Sequence, residues 1–140
     1  MNERERIATA LLALRVGVFI VMFMWTLDKF VNATHASRVF DNFYGLRGLG
    51  PGVMAGLGLA ELLLVLAFVV GFQKRISYGG VLILHGISTL ASYRQYLDPF
   101  NNLLFFAAWP MLAACFALYL LRDFDTKGTV GASTRTGRET

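Results

Sequence analysis

The stretch "FMWTLDKFVNATH", Phe23 to His35, decides how this chain is read. A long apolar run reaches Asp28 and Lys29, two adjacent opposite charges, and His35 follows one short turn later. Either these charges end a membrane-spanning helix, or they form a working site at the membrane surface. Toward the N-terminus the apolar residues continue back to Ile7. A span needs about 20 mostly apolar residues, so Ile7 to Val31 is the first expected span. The run is longer than a signal-peptide core, and Glu3 and Glu5 accompany Arg4 and Arg6 before it, so a retained helix is expected.

Toward the C-terminus three more spans are expected: Gly52 to Phe72, Ile76 to Arg94 and Asn102 to Leu121, the third being the most polar. Pro110 is expected to kink the fourth. "QKR", Gln73 to Arg75, makes the second and third spans an antiparallel hairpin, and "QYLDPFN" joins the third to the fourth with Pro99 as a stop signal. In the longer first connection, Val39, Phe40, Phe43 and Tyr44 form one apolar helical face ended by Gly45, the pattern of a short helix lying along the interface. The fold class expected is therefore all-α: an integral membrane antiparallel four-helix bundle over residues 1–122, with a short interfacial helix between the first and second spans. Residues 123–140, polar and rich in Gly and Thr, are expected to be a disordered cytoplasmic tail.

Composition points the same way. Of 140 residues, 56% are hydrophobic and only 16% charged, with a mean hydropathy of +0.55. A soluble domain of this size carries more charge. The net charge of +4 does not suggest nucleic acid, because the basic residues stand singly or in pairs beside the apolar runs. Arg4, Arg6, Lys74, Arg75, Arg122, Lys127, Arg135 and Arg138 fall on one side, and Lys29, Arg38, Arg47 and Arg94 on the other. That bias puts both termini in the cytoplasm. The single cysteine, Cys115, allows no intramolecular disulfide, and the absence of a CxxC pair argues against a thiol–disulfide carrier.

Ionisable groups deep in a bilayer are costly and face the bundle interior. Arg15, Glu61 and His85 stand well inside their spans. At 1.5 Å per residue they fall about 12, 16 and 14 Å above the cytoplasmic face, which places them in one layer. Arg15 and Glu61 are accordingly expected to share a charge-assisted hydrogen bond. Ser88, Thr89 and Ser92 extend a polar stripe from His85, and Gly52, Gly56 and Ala60 form a ridge that lets helices approach. Lys29 lies on the face of Arg15, so the expected polar pocket comprises Arg15, Lys29, Glu61, His85, Ser88 and Ser92. Asp28, about 100° away, is expected to face another neighbour or the loop that holds His35. Two readings stay open for Lys29, an interfacial stop or a pocket residue. Two also stay open for Glu61, a structural partner of Arg15 or a proton- or ligand-handling carboxylate. His85, Glu61 and His35 make no metal-ligand motif.

At these residues the chain resembles the DoxX-like family of small four-helix membrane proteins. The resemblance rests on "LRVGVFIVMFMWTLDKF", with Arg15, Gly17 and Asp28–Lys29, on the glycine-rich loop, and on "GLAELLLVLAFVVGFQKR", with Glu61 and Gly71. It covers Leu12 to Asp123 and is most specific in "LDKF" followed by "AELLL". It implies a bacterial cytoplasmic (inner) membrane protein tied to redox processes, an accessory of a membrane oxidoreductase or a quinone-associated component without independent catalytic activity. A quinone is the cofactor so implied. The partners are the lipid bilayer, the oxidoreductase or further copies of the chain. The alternatives are a small proton-coupled transporter using Glu61 and a structural assembly subunit.

Overall fold

The computed structural model describes residues 1–130. The remainder of the expected tail, residues 131–140 with Arg135 and Arg138, lies outside the described residues. Among the described residues the chain is all-helical. The helices are α1 (Glu3–Val31), α2 (Ala33–Tyr44), α3 (Pro51–Val69), α4 (Lys74–Ala91), a single turn α5 (Tyr93–Tyr96) and α6 (Ala108–Leu120). Short 3-10 segments at Pro99–Asn101 and Leu103–Ala107 lead into α6. Three segments among the described residues are long and apolar enough to cross a membrane: Glu3–Val31, Pro51–Val69 and Leu103–Leu120. The segment α4 is not among them, since Lys74, Arg75, Ser77, His85, Ser88 and Thr89 interrupt its apolar run.

Helix α1 begins a turn earlier than hydropathy suggests. Asn2 Oδ1 accepts the Glu5 N–H at 2.9 Å, and Glu5 Oε2 accepts the Asn2 N–H at 2.9 Å. This reciprocal cap satisfies donors that the first helical turn leaves free. At the other end Asn32 serves two helices. Its N–H donates to Asp28 O at 2.8 Å, closing α1, and its Oδ1 accepts the His35 N–H at 3.4 Å, opening α2. The chain turns a corner in one residue. Helix α2 then ends at Gly45, whose φ of 67° is a left-handed conformation that glycine adopts without steric cost.

Pro110 does not kink a long helix. It stands in the first turn of α6, just past the 3-10 segment, where a missing N–H costs no intrahelical bond. The ridge Gly52, Gly56 and Ala60 does not mediate helix approach either. A Cβ at Gly52 or Gly56 would meet nothing within 4 Å, and Ala60 is exposed. The close-approach positions are Gly58 and Gly80. A Cβ at Gly58 would stand 2.9 Å from the Phe30 ring and 3.2 Å from Lys29 Cβ, and one at Gly80 would stand 2.8 Å from Leu64 Cδ1.

One buried stripe runs the length of α1: Ala8, Leu11, Arg15, Val18, Met22, Thr26 and Lys29. Its spacing of three and four residues is that of a single helical face. It packs on α3, through Gly58, Val65 and Phe68, and on α6, through Cys115 and Leu118, while α4 lies against α3 and α6. Polar residues therefore sit at both ends of an apolar core. Beyond α6 the chain folds back, and the Val130 N–H donates to Val70 O at 2.8 Å. The first part of the expected disordered tail, residues 123–130, is thus packed against the helices.

Candidate functional site at the Lys29 end

The corner at Asn32 builds one end of the molecule. Helix α1 reaches it with Trp25, Thr26, Asp28 and Lys29 on successive faces. Lys29 is buried at 8% exposure, and its Nζ lies 2.9 Å from Glu61 Oε2. The ammonium also donates to Trp25 O at 3.3 Å. Thr26, fully buried, places Oγ1 2.8 Å from Glu61 Oε1 and 2.8 Å from Met22 O. Gly58 stands one turn before Glu61 and has no side chain to hold α1 away. So α3 delivers its carboxylate to a cation and a hydroxyl on α1.

The hydroxyl of Thr26 has one proton and two acceptors nearby. With Glu61 ionised, Thr26 donates to Oε1. With a proton on Oε1, Glu61 donates to Thr26 and Thr26 donates to Met22 O. Neither form strands a donor, so the hydrogen-bond chain accommodates both.

Around the helix from this pair, Asp28 Oδ2 meets His35 Nδ1 at 2.6 Å. The imidazole stacks on Trp25, with ring centroids 6.4 Å apart. His35 is 44% exposed and Asp28 24%. A carboxylate on Nδ1 fixes the ring's orientation and leaves Nε2 for a second partner. Both residues form the head of a groove of about 430 Å³ whose walls are Ile20, Val21, Met24 and Trp25. This depression is shallow and open, apolar along its length and polar at one end.

The other expected site residues lie elsewhere. Arg15 does not bond Glu61. It is 1% exposed, and its Nη1 donates to Asp125 Oδ2 at 2.9 Å and to Tyr78 Oη at 3.2 Å. Tyr78 donates to the same Asp125 oxygen at 2.6 Å. Arg15 Nη2 reaches the Lys127 and Gly128 carbonyls, and Lys74 Nζ reaches the Asp125 and Arg122 carbonyls. Burial pushes the Lys74 ammonium below its ordinary value. The Asp125 charge opposes that, Arg15 adds to it, and Asp123 opposes it.

Helical rise explains the correction. Glu61 lies ten residues into α3, about 15 Å, yet pairs with Lys29, only two residues from the end of α1. The first turns of α3 therefore project past α1, beside α2. At the opposite end Arg15 is fourteen residues, about 21 Å, below Lys29, while α3 ends eight residues after Glu61. Arg15 thus stands beyond α3, level with the turn that follows it.

His85 joins neither cluster. Its Nε2 donates to Ala108 O at 3.0 Å, and Thr89 donates to His85 O at 2.7 Å, so it ties α4 to α6. Ser92 donates to Ser88 O at 3.1 Å. Among the described residues no polar contact joins Ser88 or Ser92 to Lys29 or Glu61. The sequence reading missed Thr26, Tyr78 and Asp125. Thr26 carried a signal, since it stands three residues before Lys29 on one helical face. Asp125 carried none.

Compared with known proteins, the chain matches no family model, no curated protein and no solved structure. The likeness to DoxX-like proteins therefore rests on the residues quoted above alone.

Proposed function

We propose that this chain is a four-helix membrane protein of the DoxX-like kind that associates with a quinone at its Lys29 end, as an accessory of a membrane redox system. The carrying observation is the groove headed by Trp25, His35 and Asp28. A quinone needs an apolar channel for its tail, an aromatic or apolar surface for its ring and a hydrogen-bond partner for a carbonyl. Ile20, Val21 and Met24 supply the first, Trp25 the second and the imidazole of His35 the third. Reduction of the ring takes two electrons and two protons. In this reading a partner oxidoreductase brings the electrons, and this chain binds and positions the ring.

The membrane reading follows from the three apolar helices. The polar segment from Ile76 onward, with the turn residues Lys74 and Arg75 outside it, is the fourth span, sheltered because Ser77, Tyr78 and Thr89 turn inward. The Lys and Arg bias supports both termini in the cytoplasm, and the family likeness supports a bacterial inner membrane.

The test is fluorescence. The chain has two tryptophans, so Trp109→Phe leaves Trp25 as the sole emitter. Titration of the detergent-solubilised variant with a short-chain quinone is expected to quench Trp25 saturably, and Trp109→Phe with His35→Leu is expected to lose saturation. Linear quenching equal to that of free tryptophan in the same micelles would reject the site. A second reading, a small proton-coupled transporter, is favoured by the Thr26–Glu61 arrangement, which accepts a proton without stranding a donor. Proton release from sealed vesicles on substrate addition, lost in Glu61→Gln, would distinguish it.

A further inference from the structure

The cluster at the opposite end has no part in that reading, and its chemistry is that of a receptor. Three side chains from two helices converge as donors: Arg15 from α1, and Lys74 and Tyr78 from α4. One cation, Arg15, and the Tyr78 hydroxyl meet the buried carboxylate of Asp125, which is 0% exposed, while Lys74 holds the Asp125 backbone carbonyl. The fit is incomplete. Oδ2 of Asp125 takes both side-chain donors, while Oδ1 is buried without a partner among the described residues. On the other side, Arg15 Nε is likewise buried with no partner among the described residues. A guanidinium and a carboxylate pair best as a parallel fork, two donors to two oxygens. Here both halves of such a fork exist and are not aligned.

The backbone gives the reason. Asp125 is carried on a segment whose course is fixed elsewhere, by Arg15 on the Lys127 and Gly128 carbonyls, by the Lys127 ammonium on Thr9 and by the Val130 N–H on Val70. Its seat is shaped by glycines. Gly71, at a φ of 66°, leaves room where a Cβ would stand 2.5 Å from Thr129 Cγ2, and Gly128 at 61° lets the chain pass over Arg15. The donors, by contrast, belong to helices α1 and α4.

We propose that this end of the bundle is a carboxylate-binding site, occupied here by the chain's own Asp125, and that residues 122–130 are a removable strap over it. A free small carboxylate is not tied to the strap's backbone. It can turn to meet Arg15 Nε and Nη together, with Tyr78 and Lys74 beside it, and so competes with Asp125. Its entry lifts the strap from Arg15.

The native full-length chain in detergent tests this through trypsin cleavage after Lys127, followed by mass spectrometry. The Lys127 carbonyl is bonded to Arg15, so cleavage there requires the strap to detach. A short tether acts at a millimolar effective concentration, so about 100 mM sodium acetate should outcompete it and speed cleavage about tenfold over equimolar sodium chloride. Equal rates in the two salts would overturn the removable strap. In a second arm, Asp125→Gly vacates the site. Acetate should then raise its melting temperature saturably where chloride does not, and adding Arg15→Met should abolish the response. Identical behaviour in acetate and chloride would overturn the carboxylate site. Should Asp125→Gly not fold, Asp125→Asn keeps the shape and removes the charge. Faster strap cleavage than in the native chain is then expected without acetate, and an unchanged rate counts against the proposal.

Discussion

The two ends of α1 solve the same problem in opposite ways. At one end Lys29 meets Glu61 across a single helix contact, with Thr26 completing the arrangement, and the neighbouring Asp28–His35 pair stays partly open. At the other, Arg15 is 1% exposed and held by Tyr78, Asp125 and two tail carbonyls. The open end keeps the Asp28–His35 pair partly exposed beside the apolar residues Ile20, Val21 and Met24. The closed end spends all but one of Arg15's nitrogens on the chain itself. A charge in an apolar helix is thus answered either across one helix contact, as Lys29 is by Glu61, or by a segment of the chain that folds back, as Arg15 is by Asp125.

The sharpest break between the ends is thermodynamic. Removing Asp125 by Asp125→Ala leaves Arg15 buried and uncompensated, so unfolding in mixed micelles should show a loss of about 3–5 kcal/mol. Wild-type stability in that variant would make the closed end no different from a surface pair. Glu61→Gln keeps hydrogen bonding to Thr26 and loses only the charge on Lys29, so a smaller loss of about 1.5–3 kcal/mol is expected, with the helical circular dichroism unchanged. A loss as large as that of Asp125→Ala would erase the contrast.

The glycines of α3 give a finer comparison. Gly58→Ala pushes a methyl toward Phe30 and Lys29 and should cost about 1–3 kcal/mol, as overpacking does. Gly56→Ala, which meets nothing within 4 Å, should stay within about 0.5 kcal/mol of wild type. Equal effects would mean that α1 and α3 do not meet at Gly58.

The smallest expected effect is a pH slope. Lys74 has a folded value held below its ordinary 10.5. Between those two values the unfolded chain binds more protons, so stability rises with pH across that window. Lys74→Gln should flatten the rise, and a wild-type slope that survives the substitution would remove Lys74 from the closed end.

Much of this was legible in the sequence because it is local. Apolar runs and turn residues gave the four long segments, the hairpin at Gln73–Arg75 and the short helix ended by Gly45. The face shared by Arg15 and Lys29 followed from helical period, and both residues do lie on the buried stripe of α1. What misled was depth. Placing Arg15 and Glu61 in one layer assumed that α3 begins level with the end of α1, whereas the sharp corner at Asn32 and the packing of α2 shift α3 past it. Asp125 could not be seen, because its partner is 110 residues away and its surroundings are polar with no periodic pattern. Pro110 was misjudged for a smaller reason: a 3-10 segment precedes it, so it opens a helix instead of interrupting one.

Arg15 is answered by Asp125 and Lys29 by Glu61, two separate ion pairs at the two ends of α1. A double-mutant cycle in detergent tests this pairing most directly, with Arg15→Met combined in turn with Asp125→Leu and with Glu61→Gln. The account predicts a coupling of about 0.5–3 kcal/mol between Arg15 and Asp125, and additivity within about 0.5 kcal/mol between Arg15 and Glu61. Strong coupling of Arg15 to Glu61, with none to Asp125, would contradict it.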